Sequence, residues 1–263
     1  MKLSVIGAGA MGGATVEGLL KTDIFSAQDI TVADPYEPVL HRFNQLGTLT
    51  TTCNADAVAD KDIVMVVVKP WLVESVLEGI KDKMDYCRQI LVVVAAGVSS
   101  DDILRWLDKG DGHTPKLALA IPNTAIAQCQ SMTFLVPVSL SAEEKDTVCG
   151  IFNSVGKAMI VEERMLAAGT TLASCGIAYA MRYVRAASEG GVEIGFKADD
   201  AKDIVLQTIK GAVELLQANG NHPEAEIDKV TTPGGVTIRG LNEMEHAGFT
   251  SAVIRGLKAG MKK

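Results

Sequence analysis

The sequence has no surplus of positive charge: 25 Lys and Arg face 32 Asp and Glu, a net charge of −7. Without a basic stripe to displace counterions from a phosphate backbone, a nucleic-acid partner is excluded. Cysteine is sparse and scattered. The five residues (Cys53, Cys87, Cys129, Cys149 and Cys175) are odd in number and contain no C-x-x-C pair. They argue against a disulfide framework or a zinc site and suggest a reducing compartment. The four histidines (His41, His113, His222 and His246) lie far apart and none has metal-ligand spacing, so no metal is expected. Long apolar runs are missing too. Residues 63–68 and 90–98 are the longest uncharged ones, well short of the roughly 20 residues of a membrane span. The apolar run at residues 3–6 is too short for the h-region of a signal peptide. A cytoplasmic protein without membrane contact is expected. Lys258, Lys262 and Lys263 suit a solvated helix end. No internal repeat or low-complexity segment is present.

What remains is ordinary globular composition, 48% hydrophobic and 22% charged, over 263 residues, enough for two domains. Through about residue 160, short β-branched runs alternate with amphipathic stretches, the pattern of a mostly parallel sheet wrapped by helices. Strands are expected at 2–6, 30–33, 63–68, 90–94, 116–120, 132–138 and 157–160. Helices are expected at 11–21, 37–46, 71–80, 100–107 and 142–154, with Ser100 and Ser141 as N-caps before acidic first turns. Beyond residue 162 the strands stop and helices are expected at 164–188, 197–219, 236–246 and 250–261. The fold class is therefore α/β: a Rossmann-type N-terminal domain (1–162), then an all-helical domain (163–263) for substrate binding and oligomerisation. Val205, Ile209, Ala212, Val213 and Leu216 share one face of the 197–219 helix, and Asn219-Gly220 closes it. A helical domain so small, with Ala- and Met-rich faces, is expected to pack against another copy.

Gly7-Ala8-Gly9-Ala10-Met11-Gly12 follows the first strand and opens a helix, which is G-x-G-x-x-G in its required setting. A dinucleotide pyrophosphate is expected on that helix N-terminus. Asp34 ends the second strand, 22 residues after Gly12, where an acid takes the adenine-ribose hydroxyls. A carboxylate there repels a 2′-phosphate and tilts the choice toward NADH over NADPH. The competing reading of Asp34 is a cap of the Asp–Pro turn. Val68-Lys69-Pro70 stands at the carboxyl end of the next strand, the side on which such sheets bind ligands, and Lys69 could meet a phosphate or ribose. Ala95-Ala96-Gly97 ends another strand with small residues, and Asn123 follows the strand after that.

Near the other end, Thr231-Thr232-Pro233-Gly234-Gly235-Val236-Thr237 sets hydroxyls and a Pro-Gly-Gly turn before a helix. Accessible backbone N–H groups and a helix N-terminus make a receptor for a small carboxylate. Thr237 also qualifies as a simple cap of the helix that follows.

This loop, with Leu241 and Glu245 beyond it, resembles pyrroline-5-carboxylate reductase, and the likeness spans essentially the whole chain. It implies reduction of 1-pyrroline-5-carboxylate to L-proline with NADH or NADPH, the last step of proline biosynthesis. Val68-Lys69-Pro70 and Pro122-Asn123-Thr124 resemble the family's V-K-P and P-N-T loops, with Asn123 bonding the carboxamide or its own loop. Ala95-Ala96-Gly97-Val98 resembles the turn under the nicotinamide. By the same resemblance the substrate carboxylate lies on Gly234, Gly235, Val236 and Thr237 with a hydroxyl from Thr231 or Thr232, and the Thr237 hydroxyl reaches the ring nitrogen as the catalytic contact. A homodimer through interleaved C-terminal helices is implied, with a larger ring of dimers as an extension. The chain departs from the usual pattern at Leu119 (commonly Arg), Ala125 and Ile177 (commonly Pro) and Arg185 (commonly acidic). Ile177 should let its helix run straighter, and Leu119 with Arg185 suggests a relocation of charge. Two alternatives are a reductase of another small imine or hydroxy acid and a catalytically silent dinucleotide-binding regulator. The hydroxy-acid reading calls for a catalytic Lys in the long helix, and residues 164–188 contain none.

Overall fold

The computed structural model describes residues 1–261; Lys262 and Lys263 of the basic C-terminal end lie outside the described residues. By internal contacts the chain separates into two compact units, Met1–Ile177 and Ala178–Lys263.

The first unit is built on one eight-stranded sheet. In chain order its elements are β1 (Leu3–Ile6), α1 (Ala10–Leu19), β2 (Ile30–Ala33), α2 (Glu37–Gln45), β3 (Leu49–Thr51), α3 (Asn54–Val58), β4 (Ile63–Val66), α4 (Val73–Ile80), β5 (Ile90–Val93), α5 (Ser100–Leu107), β6 (Lys116–Ile121), β7 (Ser131–Pro137), α6 (Ala142–Ser154) and β8 (Gly156–Ile160). The strand order is β3-β2-β1-β4-β5-β6-β7-β8. All neighbours are parallel except β6 and β7. Only residues 122–130, with the 3₁₀ turn Thr124–Gln128 among them, separate that pair. A parallel return needs a crossover of a dozen residues or more, so the short link enforces the reversal.

The central strands are buried on both faces, which is why they read as unbroken apolar runs. Along β4 and β5, Ile63, Met65, Ile90 and Val92 join the core beneath α1, α2 and α6. Val64, Val66, Leu91 and Val93 join the core on the opposite face, with α3, α4 and α5. Each such side chain, fully buried, contributes roughly 1.5–3 kcal/mol.

Several expectations need correction. The edge strand β3 and the helix α3 were not anticipated; three and five residues are too short for periodicity to register. Residues 70–72, expected partly as α-helix, form a 3₁₀ turn (Pro70–Leu72) before α4. Ser99, not Ser100, caps α5: its hydroxyl accepts from the Asp102 N–H. Ser141 caps α6 with a full capping box through Glu144. Leu119 is only 3% exposed within the apolar core, so no charge belongs there.

The segment expected as one helix from residue 164 begins instead with a 3₁₀ turn, followed by α7 (Leu166–Gly169), a π-helical turn at Thr170–Ser174 and α8 (Cys175–Glu193). Ile177 lies in α8, which runs unbroken past it; the interruption falls upstream, at Thr170–Ser174. The widened turn coincides with outside bonds: Asn123 Nδ2 donates to Ala173 O at 3.3 Å, and the Ser174 hydroxyl donates to Pro122 O at 2.9 Å.

Helix α8 leads into the second unit, which continues with α9 (Ala198–Asn219), α10 (Pro223–Lys229), α11 (Val236–His246) and α12 (Phe249–Gly260). Gly220 caps α9 in the left-handed region at φ 62°. Helix α10 was not anticipated; Pro223 sits in its first turn and His222 caps it. Arg185, on α8, pairs with Glu189 one turn on at 2.7 Å. Tyr183 and Phe249 meet edge to face with ring centroids 6.4 Å apart. Among described residues 178–261 only Ala201 is buried. Ile204, Leu206, Val213 and Leu215 on α9, and Ile194 at 78%, are exposed. No helix of the described residues is long and apolar enough to cross a membrane.

Candidate functional site

The first unit's cleft opens above the carboxyl ends of β1 and β4, where connections depart to opposite faces of the sheet, the point at which open α/β sheets bind ligands. Its volume is about 450 Å³, and its lining includes Gly7, Gly9, Ala10, Met11, Asp34, Val68, Lys69, Pro70, Ala95 and Ala96. Ten of the residues selected from the sequence for cofactor binding thus come together around one space. Val67, Leu72, Val94 and Thr124 also line it and were not selected. Ala8, Gly12, Gly97 and Asn123 are not among its lining residues, and each has a local role.

The three glycines of the motif have three separate reasons to be glycine. Gly7 has φ +103°, and a Cβ there would sit 2.3 Å from Val67 O. A Cβ on Gly12 would fall 1.8 Å from Gly7 O, so the helix can approach the strand only without one. Gly9 is different: nothing lies within 4 Å of where its Cβ would be. Its side-chain-free face borders the open cleft, as close approach of a pyrophosphate requires. Gly9 also caps α1 without a side-chain hydrogen bond, and the first turn carries no acid. The free N–H groups and positive end of α1 are therefore available to a phosphate anion. These features fit a dinucleotide.

Asp34 lines the cleft but is engaged by its own protein. Oδ2 accepts from the Ala8 N–H at 2.8 Å, and Oδ1 accepts from the Tyr36 N–H at 2.9 Å. The turn-capping role is thus realised alongside a tie to the glycine loop. Asn123 caps the Thr124–Gln128 turn by accepting from the Ala125 N–H, so its amide bonds its own loop and Ala173. Gly97 adopts φ +81° in the turn after β5.

In the second unit, Thr232-Pro233-Gly234-Gly235 closes as a turn, Gly235 N–H donating to Thr232 O at 2.9 Å. Gly234 takes φ +69°, with proline before it, the geometry of a type II turn. Gly235 is the N-cap of α11 and offers no side-chain cap. Thr237 is the second residue of that helix, so it is not the cap, and among the described residues no hydrogen bond engages its hydroxyl. The Thr231 hydroxyl donates to Ile227 O at 2.7 Å. The Gly235 N–H is engaged in the turn bond to Thr232 O. Thr232, the Thr237 hydroxyl and the free N–H groups of the first turn of α11 remain.

A glycine loop of this form at the switch point of a parallel sheet defines a protein of the dinucleotide-binding class. Residues 2–97 match the family model described as NADP oxidoreductase, coenzyme F420-dependent. Residues 163–263 match that for pyrroline-5-carboxylate reductase dimerisation. Pyrroline-5-carboxylate reductase 1 of Dictyostelium discoideum is 41% identical over 267 residues, covering 97% of this chain and 48% of the relative. The chain thus spans about half the length of that relative. Pyrroline-5-carboxylate reductase 2 of the same organism is 34% identical over 275 residues, covering 99% of this chain and 91% of the relative. The crystal structure of Plasmodium falciparum pyrroline carboxylate reductase with NADP bound has a TM-score of 0.89 at 25% identity, covering 99% of this chain and 95% of that one. The chain belongs to the pyrroline-5-carboxylate reductase family, and its C-terminal region is the part the family uses to dimerise.

Proposed function

We propose that this chain reduces 1-pyrroline-5-carboxylate to L-proline with NADH or NADPH, the last step of proline biosynthesis, in the cytoplasm. The observation that carries the reading is the glycine loop: one glycine for the turn, one for helix packing and one facing an open cleft. Residues 1–162 are assigned to the dinucleotide. Gly9, Ala10 and Met11 at the start of α1 receive its pyrophosphate, Lys69 meets a phosphate or ribose, and Ala95-Ala96 leave room for a flat ring. When bound, the nicotinamide supplies a hydride.

Residues 163–263 are assigned to substrate and assembly. A cyclic imine is activated by protonation of its nitrogen, so the protein's task is to orient the ring, anchor the carboxylate and hydrogen-bond the nitrogen. The N–H groups of Gly234, Val236 and Thr237 with the Thr232 hydroxyl take the carboxylate, and the Thr237 hydroxyl takes the ring nitrogen. Its lack of a partner within the described residues supports that role. The almost coreless second unit supports a homodimer through the C-terminal helices, extended to a ring of dimers.

The test is oxidation of NADH and of NADPH by the purified protein with racemic 1-pyrroline-5-carboxylate, proline being quantified as product. Thr237→Ala should lower turnover by about tenfold to a hundredfold, the worth of a hydrogen bond to a charged group, without changing the unfolding midpoint. Dinucleotide binding without any turnover would sink the reductase reading.

A further inference from the structure

Ala8 is the residue between the first two glycines of the motif, fully buried, and its peptide groups are gripped from both ends. Its N–H donates to Asp34 Oδ2 at 2.8 Å, and its carbonyl accepts from Arg42 Nη2 at 3.3 Å. We propose that Asp34 and Arg42 form a charged clamp on Ala8 that presets the glycine loop for a pyrophosphate, making Asp34 a positioning residue for either dinucleotide. This rests on the reading of the cleft as a dinucleotide site.

Both jaws of the clamp are fixed in place. The second oxygen of Asp34 accepts from the Tyr36 N–H at 2.9 Å, so the carboxylate cannot turn without losing two bonds. Arg42 pairs with Glu17 on α1 at 3.4 Å and lies 4.5 Å over the Phe43 ring. Gly13 explains how the guanidinium reaches the loop. A Cβ at that position would lie 2.1 Å from Arg42 Nη2. The motif's extra glycine, directly after Gly12, is therefore a port for the arginine, at the cost in helix propensity that glycine carries.

The neighbouring backbone completes the arrangement. Gly7 N–H donates to Ala33 O at 2.8 Å, so two consecutive N–H groups of the loop are tied to the end of β2. Gly9 then enters α1 with its open side toward the cleft. A loop held this way does not have to be ordered when the pyrophosphate arrives, and that saving favours every dinucleotide equally. The negative jaw is matched by the positive one, so the clamp adds no net charge to a site that binds an anion.

The test is calorimetric titration of NAD⁺ and NADP⁺ into the wild-type protein, Asp34→Ala, Asp34→Asn and Gly13→Ala, with hydrogen exchange of the glycine-loop peptide in the free protein. Asp34→Ala should weaken both dinucleotides in parallel by about tenfold or more and speed exchange of the loop. Asp34→Asn keeps an acceptor for the Ala8 N–H and should recover most of both effects. Gly13→Ala favours helix formation yet displaces Arg42, so it should weaken both dinucleotides without lowering stability. Weaker NAD⁺ binding with unchanged or tighter NADP⁺ binding in Asp34→Ala would overturn the clamp and restore Asp34 as a ribose ligand, as would loop exchange equal to the wild type. A wild-type protein that bound neither dinucleotide would overturn the cofactor reading and this role with it.

Discussion

Glu163 holds Ser100 with both carboxylate oxygens: Oε1 accepts from the Ser100 N–H at 2.8 Å and Oε2 from its hydroxyl at 2.5 Å. The pair fastens the start of the post-sheet segment to the first turn of α5, directly after the Ala95-Ala96-Gly97 loop of the cleft. A carboxylate at a helix N-terminus also gains from the helix dipole.

Glu163→Ala leaves the partly buried Ser100 groups without this acceptor. It should cost about 1–3 kcal/mol of stability, read from the urea midpoint, with Glu163→Gln recovering part of the loss. An unchanged midpoint would show that water replaces the contact freely.

Two alanine substitutions in one motif should behave oppositely. Gly12→Ala drives a methyl into Gly7 O and should lower the thermal midpoint sharply. Gly9→Ala meets no atom and has φ −66°, so the fold should tolerate it, while the methyl fills the cleft and dinucleotide binding is lost. Binding by Gly9→Ala equal to the wild type would contradict close approach at that residue.

Tyr86 is buried and donates its phenol proton to Leu107 O at 2.7 Å. Burial pushes its pKa up from the ordinary 10.0 to about 12. The neutral form is favoured on folding, so this contribution is complete below pH 10 and is lost as pH rises from 10 to about 12. Tyrosinate absorbance should show a step near pH 12 that Tyr86→Phe abolishes.

The second unit's exposed apolar faces predict that assembly and stability are linked. Leu215, 54% exposed on α9, is a direct probe. Leu215→Asp should move the mass measured by light scattering toward the 27.8 kDa of a single chain and lower the unfolding temperature. A variant that keeps the wild-type mass would place the interface away from this side chain.

Much of this arrangement was legible from residue order because its causes are local. The helices Ser100–Leu107, Ala142–Ser154 and Val236–His246 follow from apolar spacing and turn chemistry, and each has the bounds expected from the sequence. The Gly7, Gly9 and Gly12 loop is equally local, since its glycines answer to an adjoining strand and helix. The elements missed, β3, α3 and α10, run three, five and seven residues, too few for a period to repeat.

The side-chain partnerships were not legible. Ala8 meets Asp34 across 26 residues and Arg42 across 34, and Ser100 meets Glu163 across 63. The type of Asp34 was informative, but both its oxygens were claimed by backbone N–H groups whose position depends on the parallel pairing of β1 with β2. The Gly235 N–H was engaged by Thr232 O in the same way, by the closure of a turn. Periodicity and turn chemistry act over a few residues and can be read along a chain. Which donor reaches which acceptor is decided by sheet register and loop geometry, and these exist only once the chain has folded.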